Sequence, residues 1–312
     1  MTLKLEVIQV DPEQYAQIAD FTKDNIAFHF VYAALHYYFD GRLEEVQLTL
    51  FQVVSGKEHL YCVLHEIFGE TIKLLINTDS RNPDFVHNAT HALMDKVHPI
   101  LNRYGNFYTP YMRQDIREAV ISHSRTSATH PYQPMDEPLF CYYINDHRCQ
   151  ELIDQDIKLP DHYYFVAPQD KSARQMCADQ LKSFLVEEDT LALRLRNFPA
   201  VGVIHKFDQI PGNLVCYEHT DGLGTISMLY CQPAHRNKRL ATLVEQKICQ
   251  RNLREVGVRP FKGLTLNRPR VIQMTDKTGL WTPCTDKNGN NDVFFYSVFC
   301  REELPPVIFY EN

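Results

Sequence analysis

The sequence predicts an α/β protein built as two tandem domains, each a mixed, mostly antiparallel sheet flanked by helices. A length of 312 residues exceeds the usual size of one hydrophobic core. A content of 44% hydrophobic and 23% charged residues is that of a globular chain. Strand and helix signals also recur at a nearly constant spacing along the two halves. We therefore predict domains over residues 1–150 and 151–312.

The internal repeat rests on three pairs of landmarks about 156 residues apart. Each pair has one member in each half of the chain. The pairs are a strand followed by proline and a helix (4–9 and 162–167), a segment before a helix (108–113 and 264–269), and an aromatic closing strand (139–143 and 293–297).

The second half shows the clearer pattern of elements. The predicted elements are strand 162–167, two helices across 169–197, strands 200–205, 213–219 and 225–231, helix 239–256, strand 261–266, helix 269–278 and strand 293–300. The segment 286–292 favours a hairpin around Asn288-Gly289 over a calcium loop, because no glutamate closes a twelve-residue loop. The link 125–138 either joins the domains or feeds the first closing strand.

Several classes of function are disfavoured by composition. A formal net charge of -7 argues against nucleic-acid binding. No apolar run approaches the roughly 20 residues that span a bilayer, and the N-terminus lacks a signal pattern. The nine cysteines are scattered without a C-x-x-C pair, which predicts free thiols in the cytoplasm. We predict no metal site, because Gly69 replaces the second histidine ligand of a zincin-like His65-Glu66 start.

The segment after strand 225–231 carries the strongest functional signal. Pro233 ends the strand, and a basic turn leads into an amphipathic helix for which Gly257 is the predicted C-terminal stop. Unpaired N–H groups and the positive end of the helix dipole would converge there, which suits a pyrophosphate. The same pattern is also compatible with a solvated basic turn on a surface helix. The basic residues are His235, Arg236, Lys238 and Arg239.

The order strand, Pro-x-x-Arg-x-x-x-x-Ala turn, helix, strand, Asn, helix resembles the Gcn5-related N-acetyltransferase (GNAT) superfamily. Within it, the sequence is most similar to the glycine N-acyltransferase-like branch. The likeness extends from Asn197 to Trp281, whereas the first half matches only in layout.

This resemblance implies that the second half binds acyl-CoA or acetyl-CoA as co-substrate. Family members hold coenzyme A on the strand before the turn and wrap the pyrophosphate in an R-x-x-G-x-A/G turn. Arg236 and Ala241 fit that turn, whereas Arg239 occupies the glycine position. The implied CoA-binding residues are Tyr230, Cys231, Arg236, Asn237, Lys238, Arg239, Leu240, Ala241 and Asn267.

Catalytic residues are less clear from the sequence. Alignment on the turn places Thr225 where the glycine N-acyltransferase-like branch has a glutamate base. Thr275 stands where many acetyltransferases have a tyrosine acid, and its hydroxyl is a poorer acid. Glu218, His219 and Asp221 either reach the cleft through a water molecule or form a solvated hairpin tip.

Cys231 offers another chemistry beside His235, that of a covalent nucleophile. A thiol at a strand end without an orienting carboxylate is more typical of a core residue.

The matching turn of the first half, 77–84, lacks the basic residues and carries Asp79 and Asp84. A pyrophosphate would be repelled there, so we predict a degenerate GNAT-like N-terminal domain.

The leading hypothesis is an N-acyltransferase that moves an acyl group from acyl-CoA to the amine of a small acceptor, such as an amino acid. The alternative is a non-catalytic acyl-CoA-binding or interaction protein that kept the fold.

Overall fold

The computed structural model describes residues 4–43, 46–67, 71–127, 132–180, 188–208, 210 and 212–300. They form two compact units that are not contiguous in sequence. Unit 1 contains the described residues up to Cys141 together with Gly263–Pro269 and 283–300, and unit 2 contains those of Tyr142–Lys262 and Arg270–Thr282.

Both units contain helices and strands. In chain order they are β1 (Glu6–Gln9), α1 (Tyr15–Thr22), α2 (His29–Phe39), β2 (Val46–Ser55), β3 (Glu58–Ile67), β4 (Thr71–Asn77), α3 (Pro83–Leu101), β5 (Asn106–Arg113), α4 (Gln114–Ser127), β6 (Gln133–Tyr143), α5 (Asp146–Asp154), β7 (Tyr163–Val166), α6 (Asp170–Gln180), α7 (Glu188–Asn197), β8 (Ala200–His205), β9 (Leu214–Thr220), β10 (Ile226–Cys231), α8 (Leu240–Arg251), β11 (Phe261–Thr265), α9 (Pro269–Thr278), β12 (Thr282–Pro283) and β13 (Val293–Cys300).

One large sheet has the strand order β1-β2-β3-β4-β5-β13-β6-β11, with β12 beside β6. Pairing is antiparallel from β1 to β4 and on both sides of β13, whereas β4 and β5 are parallel. Helix α3 covers this sheet in unit 1 with apolar side chains that include Phe85, Ala89, Leu93 and Val97, all 0% exposed.

Unit 2 has a second sheet in the order β10-β9-β8-β7, antiparallel throughout. Tyr217 of β9 points toward α6, where its hydroxyl donates a hydrogen bond to the Met176 carbonyl oxygen (3.3 Å). Side chains alternate along a strand, so Cys216 and Glu218 point to the other face, which α8 covers. The sheet therefore lies between α6 and α7 on one side and α8 on the other.

Helix α8 follows from its apolar spacing. Leu240, Val244 and Ile248 are four residues apart and buried, as the pattern predicts. The helix continues through a π-helical turn, Asn252–Val256, and ends at Gly257 with φ 76°. This left-handed residue is the predicted C-terminal stop.

The elements predicted for the second half are confirmed with shifts of one or two residues at most ends. The hairpin at Asn288-Gly289 is also confirmed, because Gly289 has φ 82° and the Asp286 N–H donates to the Asn290 carbonyl oxygen (2.8 Å). Of the link 125–138, residues 128–131 lie outside the described residues. Its remainder ends α4 and begins β6, so it feeds the closing strand.

The predicted place of strand β13 is wrong. We expected it to close the second half, but it pairs with β5 and β6, and Phe299 stacks on Phe107 with 4.8 Å between ring centroids. The two aromatic strands predicted to be equivalent are thus neighbours, with Val293 opposite Phe140. Alternating hydrophobic residues specify a strand but not its partner. The domain boundary at residue 150 stays a prediction.

Candidate functional site

Strand β10 is the edge of the unit 2 sheet. It meets β11 at the isolated parallel bridge between Thr225 and Phe261, and the two strands belong to different sheets. The register against β9 shifts between Ser227 and Tyr230, and Met228 has φ 62°. Beyond Thr225, the outer edge of β10 pairs with no strand in the described part of the chain. An unpaired strand edge can hydrogen-bond an extended ligand.

The turn after β10 keeps a backbone that usually requires glycine. Asn237 and Arg239 both have φ 61°. Arg239 is the N-cap of α8, and its side chain does not cap the helix. A left-handed residue other than glycine costs about 1–2 kcal/mol. The chain therefore keeps the glycine-type bend with an arginine in place.

Positive charge surrounds this helix start. Arg236, Lys238 and Arg239 are exposed, and the Arg236 Nε donates a hydrogen bond to the Cys231 carbonyl oxygen (3.0 Å). The Arg239 side chain makes no hydrogen bond or ion pair with another described residue. No such contact therefore holds it over the N–H groups at the start of α8. Helix dipole and cations together favour an anion.

A chain of hydrogen bonds holds the Lys238 side chain against Tyr163 and His235. Its Nζ donates to the Tyr163 hydroxyl (2.7 Å), which lies 3.0 Å from Nδ1 of His235. The His205 ring lies 5.3 Å from that of His235. Burial, then Lys238 and His205, lower the pKa of His235. A neutral His235 can accept a hydrogen bond from the Tyr163 hydroxyl at Nδ1, so Lys238, Tyr163 and His235 form one hydrogen-bonded chain.

Buried charges lie under α8. Lys262 is 5% exposed and donates to Glu245 Oε1 (2.5 Å) and to Thr275 Oγ1 (3.0 Å). Its ammonium also lies 4.3 Å from the centroid of the Trp281 ring. Glu218 is 2% exposed, and its Oε2 has no hydrogen-bond partner among the described residues. Burial and the Glu245 carboxylate raise the pKa of Glu218 well above its ordinary value, against the effect of Lys262.

Glu218 faces the irregular part of β10. Its neighbours His219 and Tyr217 lie opposite Ser227 and Tyr230. Two residues of β10, including Met228, therefore oppose Glu218 alone, which is the arrangement of a β-bulge. A buried carboxylate with a raised pKa is typical of a functional site.

The prediction of a solvated hairpin tip is wrong for Glu218 and His219, two of the three residues it covered. His219 is 0% exposed, and burial and then Arg194 lower its pKa to about 4. Glu218 is buried as well. Only Asp221 lies in the turn itself, where its Oδ1 accepts hydrogen bonds from the N–H groups of Leu223 (2.9 Å) and Thr225 (3.0 Å). Asp221 therefore holds the hairpin.

The remaining predicted residues are dispersed. Thr225 is 0% exposed, and its Oγ1 has no hydrogen-bond partner among the described residues. Thr275 is 1% exposed and accepts from Lys262. Asn267 lies in unit 1, exposed, with its Oδ1 accepting from Thr265 Oγ1 (2.7 Å). Leu240 is buried in the first turn of α8. Their roles toward coenzyme A or catalysis stay predictions.

Four residues around the site were missed by sequence reasoning: Tyr163, Cys216, Glu245 and Lys262. Glu245 carries a usable signal, because it directly follows Val244 on the apolar stripe of α8, where a charge is unusual. Lys262 likewise stands inside a short strand after Phe261. The contacts of Tyr163 and Cys216 depend on strand pairing, which no local pattern shows.

Metal-binding groups and membrane-spanning helices are two further features that bear on function. In the described ranges, no three or more His, Cys, Asp and Glu side chains are grouped to hold a metal ion. None of the described helices is long and apolar enough to cross a membrane.

The fold is shared with solved structures of very different sequence. No protein-family model and no curated protein matches this chain. A Drosophila melanogaster protein is 9% identical, with a TM-score of 0.67 over 94% of this chain and 98% of that one. A tandem GNAT protein from the clavulanic acid biosynthesis pathway is 13% identical, with a TM-score of 0.53 over 97% and 100%. A GCN5-related N-acetyltransferase from Sphaerobacter thermophilus is 11% identical, with a TM-score of 0.50 over 96% of each chain. The predicted tandem GNAT fold is therefore confirmed.

Proposed function

We propose that this chain is an N-acyltransferase that binds acyl-CoA at the turn between β10 and α8. The observation that carries the proposal is the left-handed Arg239 at the uncapped start of α8. It keeps the bend of a pyrophosphate-binding turn and leaves the first N–H groups of the helix without a side-chain cap. Arg236 and Lys238 would bind the phosphates, and the Tyr230–Cys231 edge of β10 would hold the pantetheine. The three solved structures above share the fold, and two of them are described as GNAT proteins.

For the reaction, we assign the base to Glu218. The acceptor amine gives its proton to this carboxylate through a water molecule and attacks the thioester carbonyl carbon. The oxyanion formed by this attack collapses and the C–S bond breaks. Coenzyme A leaves as a thiolate that takes up a proton from solvent, and Glu218 returns its proton to solvent. Backbone N–H groups beside the bulge of β10 would stabilise the oxyanion. The raised pKa of Glu218 and its unpartnered Oε2 support this role.

The substrates belong to the same proposal. The acyl donor is acetyl-CoA or a longer acyl-CoA, and the acceptor is a small amine, such as the amino acid used in the glycine N-acyltransferase-like branch. We place the protein in the cytoplasm, because all nine cysteines are free thiols.

A thiol-release assay tests the proposal directly. Acetyl-CoA and longer acyl-CoAs are each combined with a panel of amino acids, and CoA affinity is measured by calorimetry on the same protein. The double variant Arg236→Glu with Lys238→Glu supplies the background rate. Turnover that depends on one acceptor and is lost in the variant is expected.

A second function is favoured by one observation, namely that Thr225 and Thr275 are 0% and 1% exposed at the two positions expected for base and acid. A non-catalytic acyl-CoA-binding protein would bind CoA without releasing thiol for any acceptor. Failure to bind CoA at all would contradict both functions.

A further inference from the structure

Two cysteines face each other next to the candidate site. Cys216 of β9 and Cys231 of β10 are directly opposite in the antiparallel ladder. Cys231 is the last residue of β10, immediately before the basic turn. Cys216 is buried at 0% exposure, whereas Cys231 is partly exposed. Solvent therefore reaches one thiol of the pair and not the other.

The strand register brings the two sulfurs within bonding reach. The Gln232 N–H donates to the Val215 carbonyl oxygen (2.9 Å). Gln232 and Val215, which come next to the two cysteines in the ladder, are therefore a hydrogen-bonded pair. Pairs alternate along an antiparallel ladder, so Cys216 and Cys231 form a non-hydrogen-bonded pair, in which Cα atoms are about 4.5 Å apart. Disulfides span Cα distances of about 4.4–6.8 Å. A bond between these residues needs little movement of the strands.

The two thiols differ in acidity. A hydrogen bond from the Cys216 thiol, with the cations Arg236 and Lys238, lowers the pKa of Cys231 to about 7, although partial burial opposes it. The same hydrogen bond, together with burial, raises the pKa of Cys216. The accessible sulfur is thus the more nucleophilic one, and the buried sulfur keeps its proton.

A second pair of neighbouring thiols lacks this combination. Cys141 and Cys284 are also near each other, since the Cys284 N–H donates to the Cys141 carbonyl oxygen (2.8 Å). Burial raises the pKa of both, to about 12 for Cys284. Cys284 is therefore a matched control. It is partly exposed and has a thiol neighbour, but its own thiol stays protonated at neutral pH.

We propose that Cys231 and Cys216 form a redox-active dithiol that a hydroperoxide converts to a disulfide. The Cys231 thiolate attacks the peroxide O–O bond, so that a sulfenic acid forms and hydroxide leaves. The Cys216 sulfur then attacks the sulfenic sulfur. The S–S bond forms, the S–O bond breaks and water departs. Overall, two thiols are oxidised and hydrogen peroxide is reduced to two waters. The proposal does not depend on the acyltransferase activity.

Mass spectrometry of the full-length reduced protein tests the dithiol. A short pulse of iodoacetamide at pH 7 should label Cys231 at least about 10-fold faster than Cys284, because about half of the Cys231 thiol is ionised and burial keeps the Cys284 thiol protonated. Hydrogen peroxide should then produce a peptide pair joined through Cys216 and Cys231 that dithiothreitol separates. Equal labelling rates, or oxidation without that linkage, would overturn the proposal.

Variants assign the roles within the pair. Cys216→Ala should stop oxidation at the sulfenic acid, trapped by dimedone on Cys231, and Cys284→Ser should leave the linkage intact. A dimedone adduct on Cys284 instead, or loss of the 216–231 linkage in Cys284→Ser, would contradict the assignment. The linkage map of the unmodified chain keeps the test valid if Cys216→Ala does not fold.

Discussion

Two turns of this chain have the same place in the fold and opposite chemistry. Both lead from a strand into a long helix, the first from β4 into α3 and the second from β10 into α8. In the first, Asn82 caps α3 by accepting hydrogen bonds from the N–H groups of Asp84 (3.1 Å) and Phe85 (3.4 Å). In the second, Arg239 starts α8 without a side-chain cap. The first turn supplies its own side-chain acceptor for the helix, and the second supplies none.

The charges of the two turns reinforce this difference. The first has Asp79 and Asp84, and its Ser80 hydroxyl donates to the Glu58 carboxylate (2.6 Å). The second has Arg236 and Lys238. An anion is therefore disfavoured at α3 and favoured at α8.

The helices themselves also cover different interiors. Helix α3 packs on apolar side chains, whereas α8 buries Glu245 above Glu218 and Lys262. Unit 1 also buries charged side chains, such as Glu66 and Arg113, so the difference lies in which helix covers them and not in the presence of buried charge.

The largest expected effect comes from reversing the charge of the second turn. Arg236→Glu with Lys238→Glu should weaken CoA binding by at least about 100-fold, because two charge-assisted hydrogen bonds of about 1.5 kcal/mol or more are lost. The matched control is Arg81→Glu in the first turn, and calorimetry should show less than about a 2-fold change there. Equal losses in both variants would remove the distinction between the turns.

Glu218→Gln tests the buried charge. The folded-state pKa is raised, so the stability from this group is fully present below the unfolded pKa of 4.5 and is lost as pH rises toward the folded value. The variant should therefore be more stable than the parent by about 1–3 kcal/mol at pH 8 and by less at pH 5. If Glu218 is the base, kcat should also fall about 100-fold.

Thermal unfolding and thiol release on the same preparations measure both effects. Glu218→Asp is the control that keeps the charge. A variant that is less stable at pH 8 than at pH 5, relative to the parent, would contradict the raised pKa.

These residues show what the sequence could and could not supply. Apolar spacing predicted α8 and Gly257, and the motif located the turn. For Glu218 and His219 the sequence left both the cleft and a solvated hairpin tip open. It could not decide between them, because strand register and the bulge at Met228 determine which side chains are buried. Strand β13 was assigned to the wrong half, since a strand pattern does not name its partner. The motif placed Arg239 at the glycine position, but a left-handed backbone there was not predicted, because arginine seldom adopts that conformation.

A smaller effect is expected at the cap of the first turn. Asn82→Ala removes the acceptor for two N–H groups and should destabilise the start of α3 by about 1 kcal/mol. Hydrogen exchange should speed up in a peptide that covers Asp84 and Phe85, while CoA affinity stays the same. Unchanged exchange would mean that the cap does not hold this helix.

The smallest effect is expected at Arg239. Arg239→Gly relieves the left-handed strain, but glycine gains entropy in the unfolded chain, so stability should rise by less than about 1 kcal/mol. CoA affinity should fall only several-fold, because the bend remains and one of three cations is lost. An affinity that rises 10-fold or more would indicate that the arginine blocks the site, as the non-catalytic alternative expects.

Amide NMR during a CoA titration compares the two turns most directly. In the deuterated full-length chain, the N–H signals of Leu240 and Ala241 at the start of α8 should shift with saturation. Those of Asp84 and Phe85 at the start of α3 should stay in place. Shifts confined to the α3 signals, equal shifts at both helix starts, or none at α8 would contradict the account.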